Sequence, residues 1–319
     1  MSGRHSATVY LGRVLQRFPW RWLRPLESAC LVRQKNWNLA PPIFLLALPR
    51  SGSTLSYQCL IHAFGPVYLS NLGNLLADLP YLAGRISDRR CGGRGMSFQS
   101  QLGFVPGLCG PAEGKRLWET WGGYGLSEGK SGKSGIQERH EIPVKRKRTE
   151  YLRRALGSLT NPKRPFVSAY LGHTLDPHRL RREFPEAIFL RLRRDPLPNA
   201  LSLLRCREER NTSWFSLFPK ECFEVKGESV ERQVVRQVEV LNQRLDSLAT
   251  DERTFWMDYE SLCQDPNGEF EKFREFANSR GLDLQWISPL PPKFPIREID
   301  KDDERVNRVR EALGSNRPG

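Results

Sequence analysis

The sequence predicts an α/β protein built on a central, mainly parallel sheet flanked by helices. Three observations predict it. Residues 43–48 (IFLLAL) form a short, unbroken apolar run between Pro41-Pro42 and a turn of small residues, the pattern of a strand buried on both faces. Similar runs recur at 166–172, 187–193 (AIFLRLR) and 253–259 (RTFWMDY), with helical patterns between them and no internal repeat. Asp176-Pro177, Asp195-Pro196 and Asp265-Pro266 each set a helix-capping side chain before a proline, a strong helix start.

Taken in order, the run at 43–48 leads through a small-residue loop into LSYQCLIHAF, a helix stopped at Gly65-Pro66. Residues 85–148 read differently. They contain CGGRGM, GLCGPAEG, WGGYG, GKSGKSG and the charge run KRKR at 145–148, and predict long loops with one short helix around 117–121. Regular structure resumes with the strand at 166, a helix from Pro177 to Phe184, and the strand at 187–193. The next helix starts at Pro196, with Pro198 tolerated in its first turn. Val230, Val234, Val238, Leu241, Leu245 and Leu248 step by 4, 4, 3, 4 and 3, the buried face of an amphipathic helix. After the strand at 253–259, a helix from Pro266 buries Phe270, Phe273 and Phe276 or Ala277 and stops at Gly281. The expected organisation is a basic arm over 1–40, one domain over 41–300 with a loop-rich insertion at 85–150, and a tail over 301–319.

At 319 residues, 39% hydrophobic and 10% aromatic, the chain has the composition of a folded protein rather than a disordered one. Lys plus Arg is 50 and Asp plus Glu 36, so the net charge of +14 favours anionic partners without choosing among them. No helix shows the paired base-reading and phosphate-contacting residues of a nucleic-acid reader, so nucleic acid is not the expected partner. Seven dispersed cysteines without a C-x-x-C pair read as reduced thiols, not as a disulfide framework or zinc site. Residues 1–40 carry seven Arg or Lys and one acid, Glu27. They are expected to form a solvated arm, with a transit peptide or a membrane-surface segment as the alternatives. No apolar stretch approaches the roughly 18 residues that span a bilayer, and a soluble, cytoplasmic protein is expected.

The segment PRSGSTL, between the first strand and its helix, is a candidate anion site. Backbone N–H groups at a turn and at a helix N-terminus lack internal partners. Gly52 permits close backbone approach, Ser51, Ser53 and Thr54 offer hydroxyls, and Arg50 supplies a forked cation. It is not an ATP-type loop, because the Gly-Lys-Ser/Thr ending is missing. The GKSGKSG stretch at 129–135 lacks both the earlier glycine and a preceding strand, and reads as a basic loop. A second segment, FLRLRRDPLPNALSLL, places Arg194 at a strand end and Ser202 eight residues on, two turns into the next helix. Both residues can face an anion at the carboxyl edge of the sheet.

Together the two segments resemble the sulfotransferases that use 3′-phosphoadenosine-5′-phosphosulfate, in their bacterial and carbohydrate-type branch. Arg50-Ser51-Gly52-Ser53-Thr54-Leu55 looks like that family's 5′-phosphosulfate loop, and Arg194 with Ser202 like its 3′-phosphate motif. FPEAIFLRLRRDP and WMDYESLCQDPNGEFEKFREF are similar to its later strands and helices. The resemblance covers about 41–65 and 166–281. It implies a P-loop-like three-layer fold, the phosphosulfate as donor, adenosine 3′,5′-bisphosphate as product, no metal, and a saccharide or other hydroxylated acceptor. Arg50 would then face the leaving oxygens, with the 52–55 backbone on the 5′-phosphate and Arg194 and Ser202 on the 3′-phosphate. Arg50 stands where the cytosolic small-molecule branch has a lysine.

Transfer to a hydroxyl also needs a general base, and three residues are candidates: Glu113 in GPAEG, His173 after the strand at 166, and Glu119 between Trp118 and Trp121. Members with a glutamate soon after the first helix would place it near 68–74, where this chain has none. Lys293 and Arg297 are candidates to close over the nucleotide, against a solvated tail. The 145–148 run is a candidate guide for an anionic acceptor, against a plain loop. Trp118, Trp121 and Tyr124 are expected to pack, with sugar stacking as the alternative. The competing functions are a kinase of related architecture and a non-catalytic nucleotide- or polyanion-binding protein of the same fold.

Overall fold

The computed structural model describes residues 20–34, 37–93, 95–101, 103–124, 126–128, 136–138, 146–300 and 302–314. The stretch 129–135, Lys145 and the first 19 residues of the basic arm lie outside these.

Eight strands occur among the described residues: β1 (Ile43–Leu46), β2 (Val67–Tyr68), β3 (Leu126–Glu128), β4 (Ile136–Glu138), β5 (Phe166–Ser168), β6 (Ile188–Arg193), β7 (Leu217–Phe218) and β8 (Thr254–Asp258). Five of them form the central sheet in the order β2-β5-β1-β6-β8, every pair parallel. The others make a small separate sheet, β3-β4-β7. The principal helices are α1 (Arg24–Val32), α2 (Ser53–Phe64), α3 (Pro80–Cys91), α4 (Arg146–Gly157), α5 (Pro177–Glu183), α6 (Pro196–Arg210), α7 (Val230–Asp246), α8 (Tyr259–Gln264), α9 (Pro266–Asn278) and α10 (Glu304–Gly314).

Side chains alternate across the pleat of β1 and fill two separate cores. Phe44 and Leu46 join Phe189, Phe184, Trp118 and the Val234–Val238–Leu241 face of α7 on one side. Ile43 and Leu45 join Ile188, Leu190, Leu60, Phe64, Phe270 and Phe273 on the other. The central sheet is thus covered on both faces, and the fold is a three-layer α/β architecture. The three Asp-Pro starts hold as capped helices. Asp176, Asp195 and Asp265 accept from the backbone N–H of Arg179 (2.9 Å), Leu197 (2.8 Å) and Gly268 (3.0 Å). Gly65 ends α2 at φ 56°, its N–H bonded to the carbonyl of Ile61 at 2.9 Å.

The 85–148 stretch departs from expectation at both ends. Its first residues belong to α3, and Arg146, Lys147 and Arg148 open α4, whose Leu152, Ala155 and Leu156 are buried. Burial of that apolar face decides the conformation of a basic sequence that has no helical signal of its own within the run. Short helical turns at Lys115–Leu117 and Trp118–Gly122 match the helix expected near 117–121. Within the expected tail, α10 buries Val306, Val309 and Ala312, spaced by threes, against α6 and α7. Arg305 and Arg308 add ion pairs to Glu208 (3.1 Å) and Glu231 (2.7 Å).

The cysteines need a correction. Cys91, at the end of α3, is bonded to Cys109, and Cys30, Cys59, Cys206, Cys222 and Cys263 are free thiols. The glycine-rich segment after α3 turns back on itself and brings Cys109 to 5.1 Å (Cα–Cα) from Cys91, a proximity that linear spacing does not encode. Unfolded without reductant, the protein is expected to titrate as five thiols, and as seven after reduction. A closed loop of this length stabilises by about 3 kcal/mol in the chain-entropy account, so Cys109→Ser should lower the melting temperature in calorimetry. Seven thiols without reductant would remove the bond.

Candidate active site

β1 and β6 are neighbours paired in parallel from Ile43↔Ile188 to Leu46↔Arg191, so the chain leaves both strands at the same edge of the sheet. Arg50 follows β1 by four residues and Arg194 directly follows β6. The Arg194 guanidinium donates to the carbonyl oxygen of Arg50 at 2.5 Å. The Arg50 Nε donates to the Ser202 Oγ at 3.3 Å. The two sequence segments therefore meet, and Arg50 is where they meet.

The turn is unusual in its backbone. Arg50 has φ 64° and Gly52 φ 94°. The left-handed region costs an ordinary side chain on the order of 1 kcal/mol. Surrounding bonds hold the turn in place. Thr174 Oγ1 donates to the Ala47 carbonyl (3.0 Å), Asn199 Nδ2 to the Pro49 carbonyl (2.8 Å), and Ser51 Oγ to the Leu48 carbonyl (2.7 Å). Ser51 is buried and builds the turn; it does not line the pocket. The close approach that Gly52 permits is made by Tyr259, the first residue of α8. A Cβ at position 52 would lie 2.2 Å from its ring. The same ring carries the Arg194 guanidinium 4.7 Å from its centroid.

These residues line a pocket of about 270 Å³ whose walls include Arg50, Gly52, Ser53, Thr54, Leu55, Arg194 and Tyr259, with Ser100, Gly103 and Glu113 opposite in the chain's glycine-rich segment. The helix N-terminus of α2 opens at this pocket, so its unpaired N–H groups add to the positive field. Other hollows are larger, about 410 Å³ beside Arg236 and Arg244, but those arginines are ion-paired to Glu224 and Glu221. Among the described residues neither Arg50 nor Arg194 has a carboxylate ion-pair partner. The Nε of Arg194 is buried without a hydrogen-bond partner, and burial holds its pKa below the usual arginine value. Desolvated cations with open donors are suited to an oxyanion such as a phosphate.

The three candidate bases end in three different places. Glu113 lines the pocket with a side chain exposed to solvent, and the protein packed around it raises its carboxyl to about 7, with Lys115 opposing the shift. His173 lies elsewhere. It is fully buried on the Leu171–Leu175 turn, edge-on to Phe44, Trp118, Tyr124 and Tyr170, with neither ring nitrogen bonded. Burial holds its pKa well below the ordinary value, so the ring is neutral. Glu119 forms an ion pair with Lys115 (3.8 Å) and does not line the pocket.

The aromatic residues pack. Trp118 Nε1 donates to Ser168 Oγ (2.9 Å), Trp121 Nε1 to the Ala77 carbonyl (2.9 Å), and Tyr124 OH to Glu183 (3.1 Å). Lys293 and Arg297 are exposed and outside the pocket wall. The sequence does not single out Thr174, Asn199 or Tyr259. Tyr259 had the one usable signal: it follows β8 directly, as Arg194 follows β6.

No curated protein matches the chain. Among solved structures it is similar to sulfotransferase STF9 from Mycobacterium avium (TM-score 0.48, 16% identity, 93% of this chain and 74% of that one). It is also similar to STF1 from Mycobacterium tuberculosis (0.43, 13%, 95% and 82%) and to a sulfotransferase from Alicyclobacillus acidocaldarius (0.40, 14%, 87% and 97%). Residues 127–283, which hold Arg194 and Ser202 but not the Arg50 turn, match the profile of the Sulfotransferase family. By that match, residues 127–283, just under half of the chain, belong to the sulfotransferase family.

Proposed function

We propose that the protein transfers a sulfuryl group from 3′-phosphoadenosine-5′-phosphosulfate to a hydroxyl, or an amine, of a small acceptor such as a saccharide. The observation that carries this reading is the convergence of Arg50, Arg194 and the α2 N-terminus on one pocket that also holds Glu113, with Ser202 hydrogen-bonded to Arg50 outside its lining. Arg50, Arg194 and the open Nε of Arg194 fit a ligand with two separated anionic groups.

In such a transfer, negative charge spreads over the sulfuryl oxygens and grows on the departing phosphate. Arg50 and the 52–55 N–H groups stabilise that charge without reorganising, because the turn is already fixed by Thr174, Asn199 and Ser51. Arg194 and Ser202 hold the distal phosphate. Through the Arg50–Ser202 hydrogen bond, occupation of one end of the site orients the cation at the other. Glu113 takes the proton of the acceptor hydroxyl. A carboxyl held near neutrality matches a base working at physiological pH better than an ordinary carboxylate does. A kinase reading lacks the lysine that an ATP-type loop requires.

Calorimetry with adenosine 3′,5′-bisphosphate tests the donor site. Wild type is expected to bind, and Arg50→Ala and Arg194→Ala to lose about 1.5–3 kcal/mol each, roughly ten- to hundredfold in Kd. ATP should bind more weakly than the bisphosphate. A folded wild type that ignores the bisphosphate would leave a non-catalytic basic protein.

Two further measurements address Glu113. Its work as a base requires the carboxylate, so kcat/KM should rise with pH through about 7. Glu113→Gln should lower kcat by about 10²–10⁴ while retaining bisphosphate binding. The stability sign is opposite. With its pKa raised in the fold, the native state keeps a proton that the unfolded chain releases, so stability falls as pH rises from the ordinary glutamate range to about 7. Glu113→Gln should therefore melt higher than wild type at pH 8, with the advantage vanishing below pH 4. A variant that is both inactive and less stable at pH 8 would point to a structural role.

A further inference from the structure

α1 and the turn before it are inverted relative to an ordinary surface helix, which turns its apolar stripe inward. Trp22, Leu26 and Val32 are 77%, 59% and 63% exposed, with Ala29 between them, and the steps of 4, 3 and 3 put all four on one face. The inward face holds Glu27, fully buried, which accepts from the Leu82 N–H (3.0 Å) and the Tyr151 hydroxyl (2.7 Å). Leu31 is buried beside Tyr81 and Ala155, and its carbonyl accepts from Arg154 at 2.9 Å. Arg24 lies over the Trp121 ring at 4.7 Å. The helix is therefore fixed to α3 and α4, and its apolar stripe is held outward in a defined position.

The flanks of the stripe are cationic. Arg21 and Arg33 are exposed and form no ion pair with another of the described residues. Glu27 is the sole acid among the first 40 residues, which hold seven Arg or Lys, and it is the side chain turned inward. No negative charge from this segment therefore faces out.

From this arrangement we infer that the outward face of α1 docks the protein on an anionic lipid surface, with Trp22, Leu26 and Val32 entering the interface and Arg21 and Arg33 meeting the headgroups. The apolar area and the charge act together in such binding, and an interfacial tryptophan suits the headgroup boundary. A second copy of the chain fits the face poorly. A two-fold contact sets the same patch against itself, and Arg21 and Arg33 would meet like charges with no acid of this segment to receive them. No helix among the described residues is long and apolar enough to cross a membrane, so the contact is peripheral.

The test is co-sedimentation of the full chain with phosphatidylcholine vesicles, with and without about a third phosphatidylglycerol. Wild type should sediment with the anionic vesicles, far less with the neutral ones, and less at high salt. The exposed-face variant Trp22→Ser/Leu26→Ser/Val32→Ser should lower the partition coefficient roughly ten- to hundredfold. Arg21→Glu/Arg33→Glu should do the same, and both should keep the wild-type melting curve. The inference fails if wild type does not sediment with anionic vesicles, if it binds neutral vesicles as well, or if the apolar variant binds unchanged. It also fails if sedimentation velocity finds a wild-type dimer that this variant splits, which would give the face to a second copy.

Discussion

The site depends on the parallel pairing of β1 with β6. Because both strands run the same way and stay in register up to Leu46↔Arg191, the two turns that follow emerge side by side. An antiparallel neighbour would have sent Arg194 to the opposite end of the sheet. Arg50 and Arg194, 144 residues apart in sequence, become hydrogen-bonded neighbours through that one geometric fact. α2 and α6 then start from the same edge, and the first turn of α2 lines the pocket. The left-handed turn at Arg50 adds local strain, and the carbonyl acceptors at Ala47, Leu48 and Pro49 each have a side-chain donor that holds it. The scaffold is cooperative in that sense: the sheet places the turn, and side chains from the 171–175 turn, from α6 and from the turn itself hold its shape.

Much of this was legible in the sequence because the relevant signals are local. A doubly buried strand is an apolar run, and an Asp-Pro start is a cap, so β1, β6, β8 and the helices after them could be read residue by residue. Arg194 and Ser202 were legible for the same reason, since strand end and helix phase fix their common direction. What failed to show depends on contacts distant in sequence. The helix beginning at Arg146 is held by Leu152 and Leu156 in a core made by other elements. Cys91 meets Cys109 only because the intervening segment folds back. Tyr259 reaches Gly52 only because β8 lies beside β6. Ser51 shows the limit from the other side: its type and position suit an anion, yet its hydroxyl serves the turn.

The fate of the candidate bases follows from environment, not residue type. His173 has the more favourable ordinary pKa, but a ring enclosed by Phe44, Trp118, Tyr124 and Tyr170 has neither proton donor nor acceptor beside it. Its neutral form fills the core as another flat ring would. Glu113 begins with an unsuitable pKa and is brought toward neutrality by the hollow in which it sits. In the proposed reaction that shift suits a base working near neutral pH.

The net charge of +14 has a similar lesson, since a count of charges says little until each is placed. Many arginines are structural braces. Arg253 donates to the carbonyls of Glu186 and Arg280, Arg181 to that of Ala187 and to Asp251, and Arg244 to Leu175 and Glu221. Braced in this way, a guanidinium contributes to the fold and little to recognition. Arg50 and Arg194 differ because their surroundings withhold a carboxylate, and Arg21 and Arg33 differ because they flank exposed apolar surface. The first arrangement suits a small dianion in a pocket, the second a broad anionic plane. Two anionic surfaces of different shape are thus read from one excess of charge, and the discriminating variable is what lies beside each arginine.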